Sequence, residues 1–421
     1  MKRSTETSGN SSSNSRGVKE RTSDCPRYEV NLDDPPQQRW QHIIQDYKEH
    51  FPTVIDFVDD MIGTGVSSSI ITTVLANFND KGKIFYSEEL EGIASVSGLP
   101  IGKIALLQVA YEVFAACTSV VVDMPSSNIS GLDDIKQESA PFHIRTMDWS
   151  LDVLVPMTIE VDFTRGGHVV TTATTWAGYV GILTGMKPGV ASVSVNYRRT
   201  VNAQSWYGQV RMTMGVVLNA WRGLWYAWPV AFLVREALIY GNSYASIVKS
   251  LEVSSLMAPT YITVAGVNAG EGQVITRNRT GSERPWKLQT DGPIVQTNMD
   301  YFNMYPRKYL GDVNASDESY DWQDICWSRY RERAARVAIR EMHENDTLYP
   351  EKFWALFSIS PCLAEDTVYT VAMCPRSGMY VTRAKVTLAD KRLGRSEWKE
   401  VFDMKMASAT EDESSSGATR F

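Results

Sequence analysis

Several things are scarce in this chain, and each scarcity removes a class of function. None of its five cysteines (Cys25, Cys117, Cys326, Cys362, Cys374) forms a CxxC pair, so a structural zinc site is not expected. Basic residues are not in excess: 42 Lys+Arg against 49 Asp+Glu give a net charge of −7 and a pI near 5.4. Nucleic acid as the main partner is thereby excluded, since a phosphate backbone calls for a basic face. The five histidines (His42, His50, His143, His168, His343) stand in no papain-like context, and no Cys-Gly-x-Cys-Trp occurs. No apolar run follows the charges of MKRSTETSGNSSSNSRGVKERTSD, so no secretory signal peptide is read there. There is also no internal repeat. The most apolar stretch, Val216 to Val234, contains Asn219, Arg222 and Pro229, which makes it a poor membrane span. Its plain reading is a pair of core helices kinked at the proline. Its sharper reading is an apolar channel or membrane-touching lip lined by Trp221, Trp225 and Trp228, because indole rings suit a boundary between oil and water.

What is present is enough apolar material, 43% of 421 residues, to bury a substantial core. Residues 1–24, rich in Ser, Asn and Thr, and the acidic tail 404–421 are expected to be disordered. Order is expected to begin with a short strand near Tyr28, stopped by Pro35-Pro36. Apolar spacing predicts helices over Arg39–Met61, Thr64–Asn79 and Leu90–Phe114, so that 25–116 is mostly helical. After Cys117 the texture changes. Met157–Phe163, Val169–Thr175, Val190–Tyr197, Tyr261–Ala265, Gln273–Thr276 and Ile294–Asn298 read as strands. Trp206–Tyr240, Ser243–Leu256, Ser328–His343 and Glu351–Ile359 read as helices. Runs of strands followed by runs of helices indicate an α+β layered fold.

The chemistry centres on Ala115-Ala116-Cys117-Thr118-Ser119. Alone, a cysteine after two alanines is a small buried hydrophobe. If the Ala116–Cys117 bond is cut, however, Cys117 carries both a thiol and an α-amine of ordinary pKa about 8, able to take the thiol's proton near neutrality. Arg145 and Asp148 follow in His143-Ile144-Arg145-Thr146-Met147-Asp148. By itself Arg-x-x-Asp is a solvated surface pair. Beside a new N-terminus, the carboxylate can hold an ammonium and the guanidinium can favour a thiolate. Asn298 ends a strand-like segment, where an amide caps a turn or donates to an oxyanion.

Together these pieces resemble the acid ceramidase and N-acylethanolamine acid amidase family. Its members are cysteine N-terminal-nucleophile hydrolases related to bile-salt hydrolases and penicillin V acylase. The similarity runs from about Tyr28 to Arg383. It rests on Asn31-Leu32-Asp33, Glu91-Gly92-Ile93-Ala94, Gly98-Leu99-Pro100-Ile101-Gly102, Cys117-Thr118-Ser119, Arg145-Thr146-Met147-Asp148, Ala177-Gly178-Tyr179-Val180-Gly181 with Leu183-Thr184-Gly185, Gly270-Glu271-Gly272 and Val295-Gln296-Thr297-Asn298.

The resemblance implies an αββα sandwich, two stacked antiparallel sheets between helices. It implies a precursor that cuts itself before Cys117 into an α-subunit (25–116) and a β-subunit (117–403), which stay together as a heterodimer. Cys117 is then the nucleophile, Arg145 and Asp148 its orienting pair, and Asn298 the oxyanion amide. Arg331 is the second arginine, with Arg333 as rival. Asn196, Tyr197 and Trp176 are expected around the substrate, and no cofactor or metal is called for. The partner is a lipid amide, met with transient membrane-surface contact.

Two departures stand out. Asn196-Tyr197 replaces an Asn-Glu pair of acid ceramidase, and the loop carrying Pro125 to Gly131 is longer than usual. Ceramide is the preferred substrate, N-acylethanolamine the alternative, and a non-catalytic lipid-binding relative the second alternative. The compartment stays open between cytoplasm and the acidic or secretory route that the family implies.

Overall fold

The computed structural model describes residues 24–62, 75–76, 84–109, 116–132, 139–149, 152–198, 227–300, 322–358, 361–364 and 366–384. Two sheets form its centre. The larger has strand order β1-β4-β5-β6-β7-β8-β9-β10 and the smaller β11-β2-β3-β12-β13. In the first, β1 (Arg27–Asn31) lies parallel to β4 (Thr158–Arg165). Antiparallel pairing then continues through β5 (His168–Trp176), β6 (Thr184–Lys187), β7 (Ala191–Tyr197), β8 (Thr260–Ala265), β9 (Gly272–Arg277) and β10 (Trp286–Lys287). The second sheet joins β11 (Ile294–Gln296), β2 (Ala116–Pro125), β3 (Ser139–Asp148), β12 (Thr367–Cys374) and β13 (Met379–Arg383), antiparallel throughout. The β4–β5 hairpin turns on Gly166 and Gly167, at φ 58° and 75°, the backbone a two-residue turn demands when both central residues are left-handed.

Helices cover the outer faces. On the larger sheet lie α1 (Gln41–Tyr47), α2 (Phe51–Ile62), α3 (Ser87–Ser97), α4 (Ile101–Leu107), α5 (Val230–Tyr240) and α6 (Tyr244–Val253). After the short α7 (Leu288–Asp291), helices α8 (Trp322–Glu344) and α9 (Pro350–Leu356) cover the smaller sheet, with Phe353 edge-on to Phe142 of β3. Sheet packs on sheet and helices pack outside both: an α+β, αββα sandwich.

The segment before residue 110 is built into this sandwich. Its β1 completes the large sheet, and Trp40, Ile43, Leu90 and Ile93 share one apolar core with Cys117, Met147 and Tyr369. Gly92 explains part of one shared motif: a Cβ there would stand 1.9 Å from the carbonyl oxygen of Gln37, so only glycine lets α3 lie against that turn.

Several elements differ from the sequence reading. Arg39–Met61 is two helices, α1 and α2, joined by a tight turn at Lys48–His50. Leu90–Phe114 breaks at Gly98 (φ 75°) into α3 and α4. Pro229 does not kink a helix; it precedes α5 as its cap, where the missing N–H costs nothing. Strands β6, β12 and β13 are not among the strands read from the sequence. Residues 201–226, including Trp221 and Trp225, most of Thr64–Asn79, and the termini read as disordered lie outside the described residues, save that Asp24 is described.

Candidate active site

Cys117 is the second residue of β2, and register decides what meets it. It pairs with Met147, and Ser119 pairs with Arg145. Because side chains alternate across a strand, Cys117, Ser119, Arg145 and Met147 share the face turned toward the large sheet. Thr118, Thr146 and Asp148 share the opposite face, toward α8. Arg145 and Asp148, three residues apart, therefore flank the cysteine from two sides of one strand pair. They are not a solvated pair: both are buried.

On the inner face the Arg145 guanidinium donates from Nη2 to Cys117 Sγ at 3.1 Å and to the Val195 carbonyl at 3.0 Å. Its Nη1 donates to the Tyr369 hydroxyl at 2.6 Å and to Thr184 Oγ1. The guanidinium also lies over the Tyr369 ring, with Arg145 Cζ 5.3 Å from the ring centroid. Several groups thus fix the plane of the guanidinium, leaving one edge on the sulfur. Cys117 itself is fully buried at the edge of the apolar core, with Met147 Sδ 3.8 Å from its sulfur and the Arg145 guanidinium as its polar neighbour.

On the outer face Arg331 of α8 gathers the backbone. Nη1 donates to the Cys117 carbonyl at 2.7 Å, to Thr118 Oγ1 at 2.6 Å and to Asp148 Oδ2 at 3.3 Å, while Nη2 donates to Asn298 Oδ1 at 3.0 Å. The same Asn298 oxygen accepts the Cys117 N–H at 2.9 Å, and Asn298 Nδ2 donates to the Tyr197 carbonyl at 3.0 Å. Thr367 donates to Asp148 Oδ1 at 2.6 Å. The nitrogen that a cut before Cys117 would liberate thus already faces an amide oxygen, with a carboxylate opposite Ala116 in the register.

The structure brings Cys117, Arg145, Asp148, Asn298 and Arg331 together. Of the two rival arginines, Arg331 makes these contacts, and Arg333 is exposed. Asn196 is fully buried, with its amide committed to Ser119 and to the carbonyls of Gln296 and Thr297. Tyr197 contributes its carbonyl to Asn298. Trp176 packs edge-on to Trp149 and Tyr179 and near Tyr369; its indole N–H has no acceptor among the described residues. Trp228 stacks on Phe85 at 3.9 Å and bridges to Leu256. The reading of Trp221 and Trp225 lies outside the described residues. Sequence reasoning missed Tyr369 and Thr367, although the alternating β-branched run Thr367-Val368-Tyr369-Thr370-Val371 marks a strand.

Burial raises the Asp148 carboxyl to about 6 from an ordinary 3.8, although Arg331 pulls the other way. Burial, seconded by Arg145, lowers His143 to about 3 from 6.5. The signs oppose. Asp148 holds more protons when folded than unfolded, so its contribution is fully present below 3.8 and is lost as pH rises through about 6. His143 holds fewer, so stability falls as pH drops from 6.5 toward 3. Between about pH 7 and 4.5 each amounts to roughly 2–3 kcal/mol. Asp148→Asn should therefore lose more urea resistance than the wild type on acidification, and His143→Gln should lose less. Unfolding midpoints at the two pH values check this, and parallel pH slopes in all three proteins would refute it.

The site is thus a cysteine near the start of an inner strand of an αββα sandwich, held by an arginine at its sulfur and an amide oxygen at its nitrogen. The family model described as the beta subunit of N-acylethanolamine-hydrolyzing acid amidase matches residues 23–81. Acid ceramidase of Pan troglodytes is 30% identical over 370 residues, 85% of each chain. N-acylethanolamine-hydrolyzing acid amidase of Caenorhabditis elegans is 32% identical over 286 residues, 65% of this chain and 74% of that protein. A solved structure of the Caenorhabditis elegans ortholog of that amidase aligns with 61% of this chain and 93% of its own at 25% identity and a TM-score of 0.45. The chain belongs to the acid ceramidase and N-acylethanolamine acid amidase family, whose members are amide-hydrolysing enzymes.

Proposed function

We propose that this protein is a self-processing cysteine amidase of N-acyl lipids, with ceramide as its preferred substrate. The observation that carries the reading is the double hold on Cys117: a guanidinium at 3.1 Å from Sγ and an amide oxygen at 2.9 Å from the backbone nitrogen. Thiol and future amine are both positioned before any cut.

In the precursor, Sγ attacks the Ala116 carbonyl carbon. The S–C bond forms, the C–N bond breaks, the nitrogen takes the proton, and water then hydrolyses the thioester. The released amine keeps Asn298 Oδ1 as acceptor, with Asp148 to balance its charge. In the mature enzyme this amine takes the thiol proton and Sγ attacks the lipid amide carbonyl. The Asn298 amide and backbone N–H groups stabilise the oxyanion, at about 3–4 kcal/mol per donor in other hydrolases. An amide nitrogen carries two N–H groups, so its bond to Tyr197 is compatible with that donation. The amine returns the proton to the leaving amine, and water frees the fatty acid. An apolar face carrying Trp228 would take the acyl chain, each buried methylene contributing about 0.8 kcal/mol.

Ceramide and N-acylethanolamine differ in the amine half alone. Relatives bearing either name match this chain, and acid ceramidases match it over the larger share. Intact mass of the purified protein and hydrolysis of both lipids under one set of conditions test the reading. Two chains meeting at Cys117 and faster release of sphingoid base are expected. A single inert chain would leave a non-catalytic lipid binder, and faster ethanolamine release would reverse the substrate assignment.

A further inference from the structure

Behind the cysteine, between the two sheets, lies a buried polar chain that the hydrolysis does not use directly. His143, Ser192, Ser194, Ser119 and Asn196 are each fully buried. His143 Nδ1 lies 3.0 Å from Ser192 Oγ and its Nε2 lies 2.8 Å from Ser194 Oγ. Ser194 Oγ is 2.8 Å from Ser119 Oγ, and Ser119 Oγ is 2.7 Å from Asn196 Oδ1. Asn196 Nδ2 reaches the carbonyls of Gln296 at 2.9 Å and Thr297 at 3.2 Å.

The direction of every bond follows from counting protons. Two carbonyl oxygens can only accept, so the Asn196 amide must turn its NH2 toward them and its oxygen toward Ser119. Ser119 has one hydroxyl proton and gives it to that oxygen. Ser194 must then donate to Ser119, which uses its own single proton. The ring nitrogen facing Ser194 is therefore the N–H of the imidazole. The other nitrogen is bare and accepts from Ser192.

We propose that His143, in the tautomer with its proton on Nε2, is a positioning residue in a one-way relay, Ser192 to His143 to Ser194 to Ser119 to Asn196, that sets Asn298 beside Cys117. The relay ends on the two carbonyls immediately before Asn298. It also fixes Ser119, two residues along the same strand face from Cys117. A slack relay lets the Asn298 turn drift, and small misplacements near a reacting group reduce turnover far more than binding. Its catalytic consequence rests on the hydrolase reading above; its proton order does not.

The test uses the full chain with 15N-labelled histidine. At neutral pH the wild-type spectrum should show His143 with a protonated Nε2 and a bare Nδ1, assigned by loss of those signals in His143→Gln. Ser119→Ala frees Ser194 to turn, and the two tautomers should then mix. With N-palmitoylethanolamine and a long-chain ceramide, that variant should lose about tenfold in kcat while KM stays within about twofold. Ser194→Ala, one link up, should do the same, and if either variant fails to fold the wild-type tautomer decides alone. A proton on Nδ1, or a folded variant with wild-type kcat, overturns the relay. A wild type that hydrolyses neither lipid while showing the expected tautomer sinks the hydrolase reading instead.

Discussion

Replacing Cys117 with alanine should leave a folded, single 47.2 kDa chain with no measurable amide hydrolysis. Removing the nucleophile of a comparable hydrolase costs on the order of 10⁴-fold or more, because the remaining groups stabilise a transition state that can no longer form. The loss should appear in kcat. Stability should change little by comparison: one buried sulfur goes, while the hydrogen bonds of the Cys117 backbone to Asn298 and Arg331 remain. The same variant reports on processing, since the proposed mechanism gives Sγ the attack in both events. Cys117→Ser is the sharper control. A hydroxyl keeps the geometry and much of the bonding to Arg145 but is far less readily ionised than a thiol. It should cut slowly or not at all, and turn over lipid at a small fraction of the wild-type rate. Detection of a fragment beginning at residue 117 in the alanine variant, or ceramide hydrolysis by it, would remove Cys117 from the mechanism.

Why the site was readable before the fold lies in its local grammar. Cys117, Arg145 and Asp148 sit on the two paired strands β2 and β3, so their separation in sequence maps onto register, and small ordered motifs carried the match to the family. Asn298 lies two residues past the end of β11, a third strand of the same sheet. What sequence alone could not supply was which side of the strand pair each group occupies. Arg145 and Asp148 read most simply as a solvated pair, because a three-residue offset says nothing of burial; only stacking a second sheet on one face and α8 on the other buries both. Choosing Arg331 over Arg333 likewise needed the phase of α8 against β2. The burial of Asn196 was hidden for a similar reason: a polar residue near the end of a strand looks exposed until the second sheet covers it. Pro229 shows the same limit at the backbone level, since a proline inside an apolar run marks a helix start as readily as a kink.

The second large effect concerns what would hold the two pieces together after a cut before Cys117. Glu89 of α3 is buried and accepts from Arg235 of α5 through both oxygens, each at 2.7 Å. Trp40 Nε1 donates to it at 2.7 Å and Arg39 at 2.9 Å. Arg235, equally buried, also donates to the Val180 carbonyl at 3.0 Å and lies over the rings of Tyr86 and Phe163. Burial works against the Glu89 charge, but Arg235 outweighs it and holds the carboxyl below its ordinary range. Glu89→Ala would strand the buried Arg235 guanidinium without its hydrogen-bonded carboxylate, a change that typically costs about 3–5 kcal/mol. A cut before Cys117 would place Glu89, Trp40 and Arg39 on one piece and Arg235 on the other. In processed protein the loss should therefore show twice: as a lower urea midpoint, and as separation of the fragments on native gel filtration at concentrations where the wild type stays joined. Replacing the pair together, Glu89→Leu with Arg235→Met, should recover part of the stability, because no charge is left unpaired in the core. A Glu89→Ala protein within about 1 kcal/mol of wild type, with its fragments still joined, would show that β1 in the large sheet and the shared apolar core suffice without the ion pair.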